Sequence, residues 1–115
     1  MIKTNNKLHA EIRDGVLRVT LEGEIDHHSA VATRGEIDRL IYENRPKRFE
    51  LELSRIGFMD SSGLGLILGR FSKASEIGAE CVLLNPNENV TKILDVAGIK
   101  RLIRIERSFE KNDHR

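Results

Sequence analysis

A single cysteine, Cys81, excludes an internal disulfide and fits a reducing compartment. Charge of one sign is also missing. With 19 basic and 18 acidic residues the formal net charge is +1, so no strong field draws the chain to nucleic acid or to a membrane surface. No apolar run approaches the roughly 18 residues of a membrane-spanning helix. The opening Met1-Ile2-Lys3-Thr4-Asn5-Asn6-Lys7 lacks the apolar centre of a signal peptide, so the expected location is the cytoplasm. Neither a P-loop nor a kinase signature is present, which argues against binding and splitting ATP. Repeats, low-complexity tracts and linkers are absent too. The expectation is one domain over residues 1–115, with a core from about 7 to 105 and a tail, 106–115, to which the pattern assigns no structure.

What is there reads as an α/β chain. Residues 7–13 and 16–21 alternate apolar and polar positions around Asp14-Gly15, a strong hairpin signal. Glu22-Gly23-Glu24 is expected to close the second strand, and Asp26 to cap a helix running to about Asn44, with Ala30, Thr33, Ile37, Leu40 and Ile41 on one face and Gly35 on the outer side. A strand follows at 48–53, a helix at 62–77, and a more fully buried strand at 80–85. Asn85-Pro86-Asn87 starts a helix carrying Val90, Ile93, Leu94 and Ala97, Gly98 stops it, and Leu102 to Ile105 reads as the last strand. The order ββαβαβαβ predicts a small mixed sheet with parallel crossovers and helices packed on it.

The chemistry concentrates in Phe58-Met59-Asp60-Ser61-Ser62-Gly63-Leu64-Gly65, where a strand passes into a helix. Leu64, Ile67, Leu68, Phe71, Ala74 and Ser75 recur at three- and four-residue steps and predict the stripe that faces the sheet. Leu66 then falls nearly opposite, in line with Arg70 and Lys73, and is expected to be exposed. Ser61 fits the N-cap, its oxygen accepting from the N–H of Gly63 or Leu64, and a phosphate on that oxygen would sit near the helix-start donors. Glycine costs roughly 0.5 to 1 kcal/mol against alanine in a helix, so Gly63 and Gly65 call for another reason, such as close approach of a second surface. A patch of Gly63, Leu64, Leu66 and Arg70 is the expected contact. From the residues alone, a Ser-Ser-Gly turn is usually only a helix cap, and that reading stands ahead of docking.

Other chemistries fit less well. Gly63, Gly65 and Gly69 resemble a dinucleotide fingerprint, but the third glycine is one position late and Asp60 would lie near the pyrophosphate. A triad of Ser61, His28 and Asp26 lacks the Gly-x-Ser-x-Gly elbow. His27-His28 are adjacent and point in different directions, without a second cluster at ligand spacing, so no metal is expected. Cys81 reads as a small core residue, and Lys100, Arg101 and Arg104 as a solvated edge.

Phe58 to Arg70, together with Gly23-Glu24-Ile25-Asp26-His27-His28-Ser29-Ala30 and Val96-Ala97-Gly98-Ile99 leading to Leu102-Ile103-Arg104-Ile105, resembles the STAS-domain anti-sigma factor antagonists, most nearly their sporulation type. The resemblance implies a regulator that is not itself an enzyme and carries no cofactor. Its partner is an anti-sigma factor that is also a nucleotide-bound serine kinase, which phosphorylates the first serine of the turn, Ser61. The unphosphorylated form binds that kinase and releases the sigma factor, here sigma F, and a serine phosphatase restores the free hydroxyl. Glu24, Asp26, Asp60 and Ser62 join the glycine and leucine patch as implied partner-binding residues. The family commonly ends in a further amphipathic helix, whereas only 106–115 remain here, with Phe109 the one large apolar residue. The alternative from another class is a STAS module that binds a small ligand, or scaffolds a signalling complex, without a phosphorylation cycle.

Overall fold

Asp14 and Gly15 both take positive φ, 52° and 82°, the two-residue turn whose twist suits a hairpin. In the computed structural model, which describes residues 2–5 and 7–107, this turn joins β2 (Leu8–Arg13) to β3 (Val16–Ile25) in antiparallel register from Leu8 opposite Leu21 to Arg13 opposite Val16. A further strand, β1 (Ile2–Asn5), lies antiparallel on β2; nothing in the sequence pattern had marked it. After the hairpin come α1 (His27–Asn44), β4 (Arg48–Met59), α2 (Ser61–Glu76), β5 (Glu80–Leu84), α3 (Glu88–Val96), a short 3₁₀ turn (Ile99–Arg101) and β6 (Arg104–Glu106).

The sheet has six strands in chain order, β1 to β6, with β3, β4, β5 and β6 mutually parallel. Parallel neighbours need crossovers, and right-handed crossovers that advance steadily across a sheet lay every helix on one face. Register shows which face that is. Ala10, Val19, Leu51, Leu83 and Ile105 form one cross-strand row, and these side chains pack with Ile37, Leu40, Ile67 and Leu94 of the helices. The opposite face is polar. There Arg18 and Arg48 grip Glu50 at 2.8 and 2.7 Å, while Arg48 reaches on to Glu80 and Glu106, both at 3.1 Å. Its hydrogen bond to Glu50 holds the Arg48 pKa above the ordinary guanidinium range, against the burial that lowers it. Val82 and Leu84 belong to this polar face and are still buried, because the ion-paired side chains on either side lie over them. That is why β5 reads as an unbroken apolar run.

Several expected boundaries move. β3 runs on through Glu22-Gly23-Glu24 to Ile25, and β4 on to Met59. Two register shifts let these less apolar ends stay paired, Gly23 with Ile56 and Ile25 with Met59. Gly98, at φ 73°, ends α3 in the left-handed region, and the 3₁₀ turn after it delays the last strand to Arg104. Cys81 is buried in β5, and burial pushes its thiol up to about 12, so it is a core residue without thiolate character. The question of a closing amphipathic helix, and Phe109 with it, lies outside the described residues.

Candidate functional site

Two parallel strands ending side by side deliver two helix starts to the same rim of the sheet. β3 ends at Ile25 opposite Met59 of β4, and the Asp60 N–H donates across to the Ile25 carbonyl at 3.4 Å. The next residue on each strand is an aspartate, and each caps its helix. Asp26 Oδ1 accepts from the Ser29 N–H at 2.9 Å while Ser29 Oγ accepts from the Asp26 N–H at 3.1 Å, a reciprocal capping box. Asp60 Oδ1 accepts from the Ser62 N–H at 2.8 Å.

The cap of α2 is therefore Asp60 and not Ser61. Ser61 takes the first helical position, exposed, with its hydroxyl outside the capping bond. A carboxylate outcompetes a hydroxyl for helix-start N–H groups because the helix dipole favours negative charge there. The consequence is chemical: the hydroxyl can be modified without removing the cap. Ser62 is half-buried beside it.

The Ser29 N–H bond is the main reason the Asp26 carboxyl sits below its ordinary value of 3.8, with burial opposing and the Ser29 hydroxyl and the His28 N–H and charge assisting. A depressed native pKa adds stability above the unfolded value that is lost as pH falls through the native one. The melting temperature of the wild type should thus drop faster than that of Asp26→Asn as pH falls below about 4, the usual carboxylate range. Parallel melting curves from pH 7 to 2.5 would remove this role for the Asp26 charge.

The inward face of α2 differs from the expected stripe. Gly63, Leu66, Ile67, Arg70 and Ala74 are buried, Leu64 and Phe71 are partly so, and Leu68 and Ser75 are exposed. Leu66 at 5% and Arg70 at 4% exposure correct the expectation that both face solvent. The cause lies on the neighbouring helix. Asp38 of α1 meets Arg70 Nε at 2.7 Å, so an arginine turns into the α1–α2 seam and carries Leu66, one turn back, in with it. Burial lowers the Arg70 pKa, the Asp38 charge raises it, and nearby Arg34 lowers it.

Glycine roles divide as well. A Cβ on Gly63 would stand 2.7 Å from Met59 Sδ and 2.8 Å from Met59 Cβ, so this residue is glycine to let α2 close on the end of β4. A Cβ on Gly65 meets nothing within 4 Å. The space beside Gly65 is therefore open, whereas that beside Gly63 is filled by the chain itself.

The pattern of the strand ends also places an aromatic that sequence reasoning left unassigned. Met59 points into the core at 1% exposure, so Phe58 points the other way, 52% exposed, with its strand partner Glu24 exposed beside it. The alternation rule applied outward from Met59 would have found it. Around Ser61 the rim thus presents Glu24, Asp26 and Asp60 with Phe58 among them. On the other side, His27, Val31 and Arg34 of α1 face Ser62 and Gly65 across a groove of about 210 Å³. His27 and His28 stand exposed on the first turn of α1, and no group of three potential metal ligands forms among the described residues.

A larger hollow lies elsewhere, on the helix-free face. Its volume is about 520 Å³, and charged side chains line it, His9 and Arg55 both close to Glu22 at 3.3 and 3.6 Å.

A consecutive sheet carrying its helices on one face, with two capped helix starts beside a free serine, defines a class: the chain belongs to the STAS domain family, whose model matches residues 7–112. It is 37% identical over 101 residues to the anti-sigma F factor antagonist of Paenibacillus polymyxa, an alignment spanning 88% of this chain and 86% of that one. The unphosphorylated form of the anti-sigma factor antagonist SpoIIAA matches with a TM-score of 0.75 at 29% identity, over 92% of this chain and 93% of that one. SpoIIAA in its phosphorylated form, described as a Bacillus cell fate determinant, matches with a TM-score of 0.69 at 28% identity, over 92% and 96%. Among the described residues, no helix is long and apolar enough to cross a membrane.

Proposed function

We propose that this chain is a cytoplasmic anti-sigma factor antagonist that works as one STAS unit and is switched by phosphorylation of Ser61. The observation that carries the reading is the division of labour at the start of α2. Asp60 holds the helix end, so the exposed Ser61 hydroxyl is left to change its charge without unfolding anything. The partner is an anti-sigma factor that is also a serine kinase with bound nucleotide. The unphosphorylated chain binds it and releases the sigma factor, sigma F by the likeness to the Paenibacillus antagonist. Phosphate on Ser61 ends that contact, and a serine phosphatase restores it.

A phosphoserine brings about −1.5 to −2 charges to a rim that already holds Asp60, Asp26 and Glu24. Because Asp60 already takes the Ser62 N–H, the phosphate finds the helix start partly satisfied and stays turned outward, where a partner must meet it. Glu24 and Phe58 supply an acidic and an apolar contact next to the hydroxyl, with Ser62, Leu64 and Gly65 on the helix side. Leu66 and Arg70 act from behind by fixing α2 against α1.

Incubation with the cognate kinase and ATP, followed by intact mass and phosphopeptide mapping, tests the reading. One phosphate, mapped to Ser61 and absent from Ser61→Ala, is the expected result. No gain in mass would favour a STAS module that reads a small ligand or scaffolds a complex.

A further inference from the structure

The groove between the first halves of α1 and α2 has a chemistry distinct from the rim. Arg18, Arg39, Arg48, Arg55, Arg70 and Arg104 each hold a carboxylate. Arg34 lines the groove, is exposed, and has no such partner among the described residues. Across from it the wall is small, Gly65 and Ser62, and between the helices lie Ala30 and Val31, the latter 50% exposed. His27, on the first turn of α1, also lines it. Polarity thus reverses within one helix width, with carboxylates on the strand side of Ser61 and a free guanidinium with an imidazole on the groove side.

The geometry points to this groove as a second seat for the kinase partner, one that takes an acidic side chain flanked by an apolar one. The carboxylate pairs with Arg34, and the apolar neighbour packs on Val31 over the bare backbone of Gly65. Two facts select this occupant. The guanidinium lacks a counter-ion among the described residues, and the groove's lining reaches Ser62, the neighbour in sequence of the modified Ser61. Charge reversal across Ser61 also fixes the direction in which the partner docks, since a partner turned end for end would set like charges together.

The inference rests on the proposed kinase partner, and the experiment separates the two. Affinity for the nucleotide-bound kinase and the initial rate of Ser61 phosphorylation are measured for the wild type, Arg34→Glu, Arg34→Gln and Arg13→Glu. Arg13 stands at the hairpin end of β2, far along the chain from the groove, and its change alters net charge as much as Arg34→Glu does. The expected result is a loss of about tenfold in affinity for Arg34→Glu, a smaller loss for Arg34→Gln, and little change for Arg13→Glu. Equal effects of Arg34→Glu and Arg13→Glu would reduce Arg34 to bulk charge and overturn the seat. If Arg34→Glu leaves kinase binding intact and instead moves the phosphoserine titration followed by phosphorus NMR, Arg34 serves the chain's own phosphate, and the seat is again overturned. A wild type that neither binds the kinase nor takes phosphate would sink the parent reading, and the seat with it.

Discussion

Replacing Ser61 by aspartate is expected to weaken binding to the kinase partner by roughly a hundredfold while leaving far-UV circular dichroism and the melting temperature nearly unchanged. The fold is spared because position and charge agree locally: an acidic residue in the first turn of a helix interacts favourably with its dipole, by about 0.3–1 kcal/mol. The Asp60 cap, which does not involve the Ser61 side chain, stays in place. The interface has no such compensation. A carboxylate buried in a tight contact loses its hydration, and like charges brought together across an interface cost several kcal/mol. Since each 1.4 kcal/mol is about tenfold in affinity, two such increments give the expected loss. Ser61→Ala should do the opposite, binding as the wild type does and ignoring ATP. Titration calorimetry of the three proteins against the nucleotide-bound kinase decides the matter. Undiminished binding by Ser61→Asp would remove charge at this hydroxyl from the mechanism.

The sequence carried most of this fold because period and punctuation agreed. Asp14-Gly15 between alternating runs, Asp26 ahead of a helical stripe, and Asn87 ahead of Val90 all appear in the structure where local rules place them. What escaped was whatever depends on a neighbour far along the chain. The face of α2 could not be read from its own residues, because Arg70 counts as polar until Asp38, on another helix, neutralises it in the seam. Once an arginine faces inward, the stripe rotates and Leu66 turns in. The cap of α2 was misplaced by one residue for a different reason. Asp60 and Ser61 are both good caps by type, and only the strand register, which sets Asp60 beside Ile25, chooses between them. The proposal of a switch at Ser61 came from likeness to a family, and the structure adds that the Asp60 cap does not depend on the Ser61 side chain.

Alanine at the two glycines of the signature should move stability in opposite directions, and only one of the two changes should act on binding at unchanged structure. At Gly63 the new methyl would press on Met59, which is 1% exposed and has no open side to retreat to. Overpacking of this kind costs about 1–3 kcal/mol, and the better helix propensity of alanine returns about 1. A net loss of up to about 2 kcal/mol should lower the melting temperature by roughly 4–8 °C per kcal/mol, as for other domains near 100 residues. At Gly65 the methyl meets no atom of the chain within 4 Å, so Gly65→Ala should gain about 0.5–1 kcal/mol from reduced freedom of the unfolded chain. Gly65 lines the α1–α2 groove, so the added methyl is expected to stand in the way of an approaching partner, and a more stable protein should bind the kinase several-fold less tightly. Thermal melts paired with binding titrations separate the cases. A Gly65→Ala protein that is both more stable and fully competent would leave the glycine without a reason. A Gly63→Ala protein as stable as the wild type would mean that Met59 yields, and that α2 is seated less firmly on β4 than its close contact implies.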